Sequence, residues 1–142
     1  LERATRHKQH VAVIFLDLDH FKAVNDQFGH SLGDRLLIDI AGVLKSAMRN
    51  EDTVARIGGD EFTILIEEVP DRASLGRVTE KILLAFDRDF SLGDADIRVT
   101  PSLGVSLSPG DGEDAETLMQ KADAAMYRAK ANGRNTYRFH NA

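Results

Sequence analysis

The chain has 142 residues, 42% hydrophobic and 29% charged, which is the balance of a globular protein and excludes a disordered or fibrous one. Its length fits one domain over residues 1–142 and leaves little room for a second. It has no cysteine, which excludes disulfides and thiolate metal sites, and its net charge of -5 argues against a nucleic-acid partner.

The first half of the chain predicts a buried strand, two helices and a hairpin. Residues 1–9 are charged and predicted helical, and the apolar, β-branched run that follows is too short to span a bilayer. No signal-peptide pattern opens the chain. We expect a cytoplasmic location for the domain, in a parent protein that could be membrane-anchored. The predicted elements are a strand at Val11–Asp17, helices at Phe21–Phe28 and Asp34–Arg49, and strands at Thr53–Ile57 and Phe62–Ile66.

The second half predicts two more helices and two more strands. The helices are Asp71–Asp87 and Glu113–Ala131, and the strands are Ile97–Leu107, which Pro101 interrupts, and Asn135–Phe139. Pro109–Gly112 is predicted as a turn, and Asn132-Gly133 as a helix C-cap. The order strand–helix–strand–strand–helix–strand predicts an α+β fold with a ferredoxin-like core sheet. Sequence alone leaves the order of the strands in that sheet open.

Four acids stand where two of these elements end. Asp17 and Asp19 close the first strand, and Asp60 and Glu61 follow two glycines in the hairpin turn. If the strand lies beside the hairpin, the four carboxylates converge and could bind Mg²⁺ together with substrate phosphates. Any one of them, taken alone, is better explained as a solvated acid. Gly58 and Gly59 allow positive φ or close approach to a ligand, but a turn alone also explains them.

Other polar residues have two readings each. Lys130 and Arg134, four apart at the end of a helix, either compensate the helix dipole or clamp phosphates. Asn25 and Asp34 either start a turn and cap a helix or read a purine edge. Taken alone, residue types and spacing favour the structural explanation in both cases.

Taken together, the motifs resemble one family, the GGDEF domains. The matching segments cover nearly the whole chain in the expected order. They are Asp17-Leu18-Asp19-His20-Phe21-Lys22-Ala23-Val24-Asn25-Asp26, Phe28-Gly29-His30-Ser31-Leu32-Gly33-Asp34, Arg56-Ile57-Gly58-Gly59-Asp60-Glu61-Phe62, Ser102-Leu103-Gly104-Val105, Ala122-Asp123-Ala124-Ala125-Met126-Tyr127-Arg128-Ala129-Lys130 and Gly133-Arg134-Asn135.

The resemblance implies a diguanylate cyclase that converts two GTP molecules into cyclic di-GMP and two pyrophosphates. By resemblance, Asp17, Asp60 and the Leu18 carbonyl bind Mg²⁺, with Mn²⁺ as an alternative, and Glu61 is a second metal ligand or part of the acid–base apparatus. The implied GTP-binding residues are Phe21, through its backbone amide, Lys22, Asn25, His30, Asp34, Gly58, Gly59, Lys130 and Arg134. Asn25 and Asp34 would contact guanine, with His30 nearby, and the cations would hold the β- and γ-phosphates.

An inhibitory site is also implied, because Arg49 and Asp52 match the R-x-x-D motif upstream of the turn, and Lys81 is a weaker candidate for a further contact. The alternative for Arg49 is a helix end with a dipole-compensating arginine, but the position of the motif favours the inhibitory site. Since one domain holds one GTP, the resemblance predicts an active homodimer.

The chain begins without the lead-in segment typical of the family. We therefore expect a fragment whose sensory domain, and an EAL phosphodiesterase domain, lie elsewhere in the parent protein. A catalytically silent module that binds GTP or cyclic di-GMP is the principal alternative. Another nucleotidyl cyclase or polymerase-palm domain is a weaker one.

Overall fold

The computed structural model describes residues 10–141, so the helix expected over residues 1–9 lies outside it. Residues 10–141 form four helices, a five-stranded sheet and a two-stranded hairpin that is not hydrogen-bonded to that sheet. The elements are β1 (His10–Leu18), α1 (Phe21–Phe28), α2 (His30–Ala47), β2 (Thr53–Arg56), β3 (Glu61–Val69), α3 (Arg72–Ala85), β4 (Phe90–Leu92), β5 (Ala95–Ile97), β6 (Pro101–Leu107), α4 (Ala115–Ala131) and β7 (Thr136–Phe139).

The central strand β1 is apolar from Val11 to Leu16 because helices cover both of its faces. Alternate residues of a strand point to opposite faces. Ala12, Ile14 and Leu16 belong to the larger core cluster, which includes buried residues of α2 and α3. Val11, Val13 and Phe15 instead pack with Leu118, Ala122 and Met126 of α4. By this alternation, Asp17 lies on the α4 face.

The sheet has the strand order β2-β3-β1-β6-β7. β1 pairs antiparallel with β3 and with β6, and Asp17 lies opposite Glu61 on one side and Ser102 on the other. β7 adds in parallel to β6. The ferredoxin-like α+β fold is therefore confirmed, and the hairpin lies beside β1, which was the condition for the acids to converge.

Gly104 lets α4 approach the sheet very closely. A Cβ atom on Gly104 would lie 1.9 Å from the carbonyl oxygen of Ala122 and 2.3 Å from the backbone nitrogen of Met126. Only a residue without a side chain fits between β6 and the helix backbone. This contact fixes α4 against the sheet and directs its last turn, with Lys130, toward the end of β1.

The predicted start of the second helix was wrong. Helix α2 begins at His30, directly after Gly29, whose φ of 89° turns the chain between α1 and α2. Asp34 therefore lies in the second turn of α2 and does not cap it. The predicted strand Ile97–Leu107 is interrupted at Pro101 as expected: β5 ends at Ile97, and Pro101, which has no N–H to donate to a ladder, is the first residue of β6.

Candidate functional site

Asp17 is the centre of the candidate site. Its side chain is nearly buried at the end of β1, and its Oδ2 atom accepts a hydrogen bond from Nζ of Lys130 on α4 at 2.5 Å. Its Oδ1 atom is buried and has no hydrogen-bond partner within residues 10–141. A buried carboxylate oxygen without a partner is costly, so this atom marks a place for a further cation or donor.

Asp60 lies next to this carboxylate. The backbone carbonyl of Asp60 accepts a hydrogen bond from the amide of Leu18 at 3.1 Å, which ties the hairpin turn to the end of β1. Burial, then the negative charge of Asp17 and side-chain hydrogen bonding with Asp17, raise the pKa of Asp60 above its ordinary value, and the charge of Glu61 acts in the same direction. The acids of the two elements thus interact electrostatically.

Asp19 does not belong to this group, contrary to the expectation that four acids would converge. Its carboxylate accepts hydrogen bonds from the hydroxyls of Thr100, at 2.7 Å, and Ser102, at 2.6 Å, and from the amide of Asn135, at 3.1 Å. Because its oxygens are satisfied by neutral donors, Asp19 is an anchor that joins β1 to β6 and to the segment after α4.

The remaining acids fit Mg²⁺ only in company with a substrate. Within the described part of the chain, no group of three or more His, Cys, Asp or Glu side chains lies close enough together to hold an ion by itself. Asp17 and Asp60 supply hard oxygen atoms, and Mg²⁺ commonly binds through one or two carboxylates plus substrate phosphates. The unpartnered Oδ1 atom of Asp17 is consistent with that mode of binding.

The start of α1 lies immediately beyond the acids and presents backbone donors. His20, with a φ of 58°, turns the chain into the helix, and its side chain does not cap it. The amides of Phe21 and Lys22 have no acceptor within residues 10–141. The side chain of Lys22 is exposed. Two free amides and an ammonium group at a helix N-terminus form an arrangement suited to anions.

Asn25 and Asp34 lie on consecutive helices. The Asn25 side chain packs directly against Gly33, where a Cβ atom would lie 1.9 Å from Oδ1 of Asn25. Gly33 is therefore required for the observed position of Asn25. Asp34 is exposed and lines a cleft beside α2, and His30 is exposed at the first position of that helix. These three polar residues lie on consecutive helices, as the implied purine site requires.

The two glycines of the hairpin turn lie in an open bend between β2 and β3. Neither Gly58 nor Gly59 has a positive φ, so the suggestion that they supply left-handed backbone was wrong. A Cβ atom on Gly59 would meet nothing within 4 Å, whereas one on Gly58 would only touch Glu61. The turn backbone is therefore accessible to a ligand, which is the other role suggested for these glycines.

Lys130 and Arg134 do not share a helix face, because α4 ends at Ala131. Arg134 has a φ of 64° and its amide donates to the carbonyl of Ala129, so a left-handed turn positions it. Its neighbour Asn135 is bound to Asp19. The turn therefore brings Arg134, whose side chain is exposed, to the same end of β1 as Lys130.

Arg49, Asp52 and Lys81 line a separate cleft of about 200 Å³ between the end of α2 and α3. Arg49 donates from its backbone and side chain to Asp52, and its Nη2 atom also donates to the carbonyl of Glu67 at 2.7 Å. The Asp52 side chain is only 3% exposed. The structure thus brings the three residues implied for an inhibitory site together and holds the arginine in a fixed position.

Sequence reasoning gave no role to several residues that position the site. Gly33 admits Asn25, Gly104 seats α4, and Thr100 and Ser102 satisfy Asp19. Ser102 and Gly104 belong to the segment Ser102-Leu103-Gly104-Val105. Its spacing does not indicate that Ser102 binds Asp19 or that Gly104 contacts the backbone of α4. These contacts join residues that are far apart in the sequence, and no local pattern predicts such pairs.

Comparisons with known proteins agree with this architecture. The family model described as "Diguanylate cyclase, GGDEF domain" matches residues 1–136. The X-ray structure of an EAL/GGDEF domain protein from M. capsulatus is 45% identical, with a TM-score of 0.89 over 95% of this chain and 87% of that one. The crystal structure of the GGDEF domain of TpbB from Pseudomonas aeruginosa is 34% identical, with a TM-score of 0.94 over 97% of this chain and 86% of that one.

A relative in Pseudomonas aeruginosa, the bifunctional diguanylate cyclase/cyclic di-GMP phosphodiesterase MucR, is 46% identical over 98% of this chain. The chain covers 20% of MucR, and it spans about a fifth of the length of the curated relatives that are most similar. Within residues 10–141 no helix has the length and apolar character needed to cross a membrane. The extent of the family match, together with these relatives, establishes that the chain belongs to the GGDEF family of diguanylate cyclase domains.

Proposed function

We propose that this domain is a diguanylate cyclase, which joins two GTP molecules into cyclic di-GMP and releases two pyrophosphates. The observation that carries the proposal is the Asp17 carboxylate, buried beside Asp60 with one oxygen on Lys130 and the other without a partner. Leaving such an oxygen unsatisfied costs on the order of 1–3 kcal/mol, which a purely structural site has no reason to retain.

Asp17 and Asp60, with Glu61 and the Leu18 carbonyl, would hold Mg²⁺ or Mn²⁺, which would neutralise the triphosphate and activate the attacking hydroxyl. The rest of the work is positioning. The amides at the start of α1, with Lys22, Lys130 and Arg134, bind the β- and γ-phosphates. Lys130 can do so because it sits at the mouth of the acidic site, already facing Asp17.

The base is held at the other end of the site. Asn25 and Asp34 accept and donate hydrogen bonds along the guanine edge, with His30 nearby, and the backbone of Gly58 and Gly59 passes close to the nucleotide. Since one domain binds one GTP, the active species is a homodimer. In a two-fold arrangement each 3′-hydroxyl faces the α-phosphorus of the other nucleotide.

The proposal includes product inhibition at the cleft of Arg49, Asp52 and Lys81, where an already positioned guanidinium can grip a guanine of cyclic di-GMP. A DgcB GGDEF domain from Caulobacter crescentus, 28% identical, was crystallised with cyclic di-GMP, which supports binding in this family. We also propose that residues 1–142 form a single cytoplasmic domain of a longer signalling protein with sensory and EAL domains.

A regulatory module that binds GTP or cyclic di-GMP without turnover is the second candidate. It is favoured by a relative named as a cyclic di-GMP phosphodiesterase, NbdA of Pseudomonas aeruginosa, which is 38% identical over 98% of this chain. Against it, this chain has carboxylates at Asp17, Asp60 and Glu61, the residues on which turnover would depend.

A turnover assay decides between the two. The purified chain is incubated with GTP and Mg²⁺, and the products are separated by chromatography. We expect cyclic di-GMP, its loss in Asp60→Ala, and its retention in Asp94→Ala, which alters an exposed acid beyond the site. No product together with tight binding of GTP or cyclic di-GMP would favour the regulatory module. Near-native activity of Asp60→Ala would contradict the proposed site.

A further inference from the structure

Arg56 opens the segment Arg56–Phe62 that forms the hairpin turn, and it has no role in the proposed metal, phosphate or inhibitory sites. It is the last residue of the edge strand β2, and its side chain is exposed. Its guanidinium makes a single long hydrogen bond, 3.5 Å from Nη1 to the carbonyl of Gly59, and no ion pair with any residue between 10 and 141. Arg56 is therefore a cation that the described part of the fold leaves available to a ligand.

The side chain borders a cleft of about 380 Å³ that it shares with Asp34 of α2. The cleft wall between them is apolar and consists of Leu37, Ile38 and Ala41. Ile38 is 71% exposed, so its side chain is accessible to a ligand in the cleft. An apolar wall with a carboxylate and a guanidinium on its border suits a planar, polar-edged ring, and the volume is within the range of small-molecule sites.

Guanine is the base whose edges match this pair of charges. Its N1–H and N2–H₂ groups are donors that a carboxylate accepts, and its O6 and N7 atoms are adjacent acceptors that the arginine fork can contact together. Adenine presents an N6–H₂ donor in place of O6, so it would turn a donor toward the guanidinium. The arrangement therefore discriminates between the two purines at both edges.

We propose that Arg56 is a specificity-determining residue that reads O6 and N7 of the guanine base, while Asp34 reads its donor edge. This inference rests on the proposed function, which it deepens by assigning the choice of GTP over ATP to a particular contact. The simpler role for Arg56 is to brace the hairpin turn through Gly59. That role predicts no dependence on the chemistry of the base.

The test is equilibrium binding of dideoxynucleoside triphosphates, which lack the 3′-hydroxyl and cannot turn over. Calorimetry with ddGTP, 7-deaza-ddGTP, ddITP and ddATP, all with Mg²⁺, is compared for the wild-type chain, Arg56→Met and the matched control Arg138→Met. Arg138 is another exposed arginine on an edge strand, β7, at the opposite side of the sheet.

We expect the wild-type chain to bind 7-deaza-ddGTP, which lacks N7, roughly fivefold or more weakly than ddGTP. In Arg56→Met this ratio should fall to near one and the preference over ddATP should shrink, while the penalty for ddITP, which lacks the N2 amino group, should remain. Arg138→Met should keep all the wild-type ratios.

An unchanged 7-deaza ratio in Arg56→Met would overturn the inference, and an equal weakening of all four nucleotides would assign Arg56 to the turn alone. Both outcomes leave the proposed function standing if the wild-type chain makes cyclic di-GMP. Failure of the wild-type chain to bind ddGTP would overturn the inference, and only the absence of cyclic di-GMP in the turnover assay as well would overturn the proposed function.

Discussion

Asp17 has one carboxylate oxygen that contributes to the fold and one that has no partner in the described part of it. The alternation of β1 turns it toward α4, where Lys130 binds one of its oxygens. Its other oxygen has no partner in the described chain, and the nearby Asp60 adds negative charge instead of relieving it. The local arrangement is therefore less stable than it need be for folding, which is expected where groups are placed for a ligand.

The pKa of Asp60 gives a test of this view. Burial, then the charge of Asp17, raises it above the value of 3.8 expected in the unfolded chain. The unfolded state therefore loses its proton first as the pH rises, so the stability present below pH 3.8 is partly lost as the pH passes the folded-state pKa. We expect Asp60→Asn to raise the melting temperature of the metal-free domain by a few degrees at pH 7, with the gain shrinking toward pH 4.

Thermal unfolding followed by circular dichroism, in chelator, measures this effect. Asp94→Asn, which neutralises an exposed acid in the β4–β5 turn, is the control and should change the melting temperature little at either pH. Added Mg²⁺ with nucleotide should stabilise the wild-type domain more than Asp60→Asn. A lower melting temperature for Asp60→Asn at pH 7 would mean that the Asp60 carboxylate stabilises the fold, contrary to the electrostatic argument.

The proposed inhibitory cleft is best tested at Arg49. Asp52 is a poorer choice, since its nearly buried carboxylate also accepts from the Arg49 amide and its removal would disturb the end of α2. We expect Arg49→Ala to weaken binding of cyclic di-GMP at least tenfold, because a charge-assisted donor is lost. Calorimetric titration measures this, with Lys45→Ala, an exposed change on α2, as the control. Equal affinity in the two variants would remove Arg49 from the product site.

At the scale of elements, the contact between β6 and α4 determines where Lys130 lies. The helix backbone rests on Gly104, so a methyl group there must push α4 away from the sheet. We expect Gly104→Ala to destabilise the domain by about 1–3 kcal/mol, the usual cost of overpacking. Nucleotide affinity should fall as well, because Lys130 moves with the helix.

Chemical denaturation of Gly104→Ala measures the loss of stability, and Gly76→Ala is the matched control. Gly76 lies inside α3, where a new Cβ atom would meet nothing within 4 Å. Alanine in an open helical position should stabilise the domain by roughly 0.5–1 kcal/mol. If Gly104→Ala proved as stable as Gly76→Ala, the close packing of α4 on β6 would not be what positions the site.

The elements that sequence predicted well are those whose pattern reflects local geometry. The unbroken apolar run of β1 predicts a strand buried on both faces, and the amphipathic spacing of α2 and α3 predicts helices buried on one face. Both are observed. The β4–β5 hairpin was missed because strands of three residues are too short to reveal a period. Strand order, and with it the separation of Asp19 from Asp17 and Asp60, depends on pairings between distant segments that no local pattern encodes.

At the scale of the whole molecule, one chain provides a single set of site residues. Asp17, Asp60 and Lys130 converge at one end of β1, where Asp17 is the one carboxylate among residues 10–141 with a buried, unpartnered oxygen. If that end binds one GTP, the joining of two nucleotides requires a second copy of the domain. The specific activity of the chain should then rise with protein concentration until the dimer is saturated.

Mixing with an inactive variant separates dimerisation from other effects of concentration. Asp60→Ala, added in excess to a fixed amount of wild-type chain, should capture wild-type subunits in mixed pairs that have one defective site. Formation of cyclic di-GMP should fall steeply with the ratio of variant to wild type, because only pairs of two intact subunits complete both phosphodiester bonds. The same excess of an unrelated protein is the control. Undiminished activity with excess Asp60→Ala, or specific activity independent of dilution, would mean that a single chain performs the whole reaction.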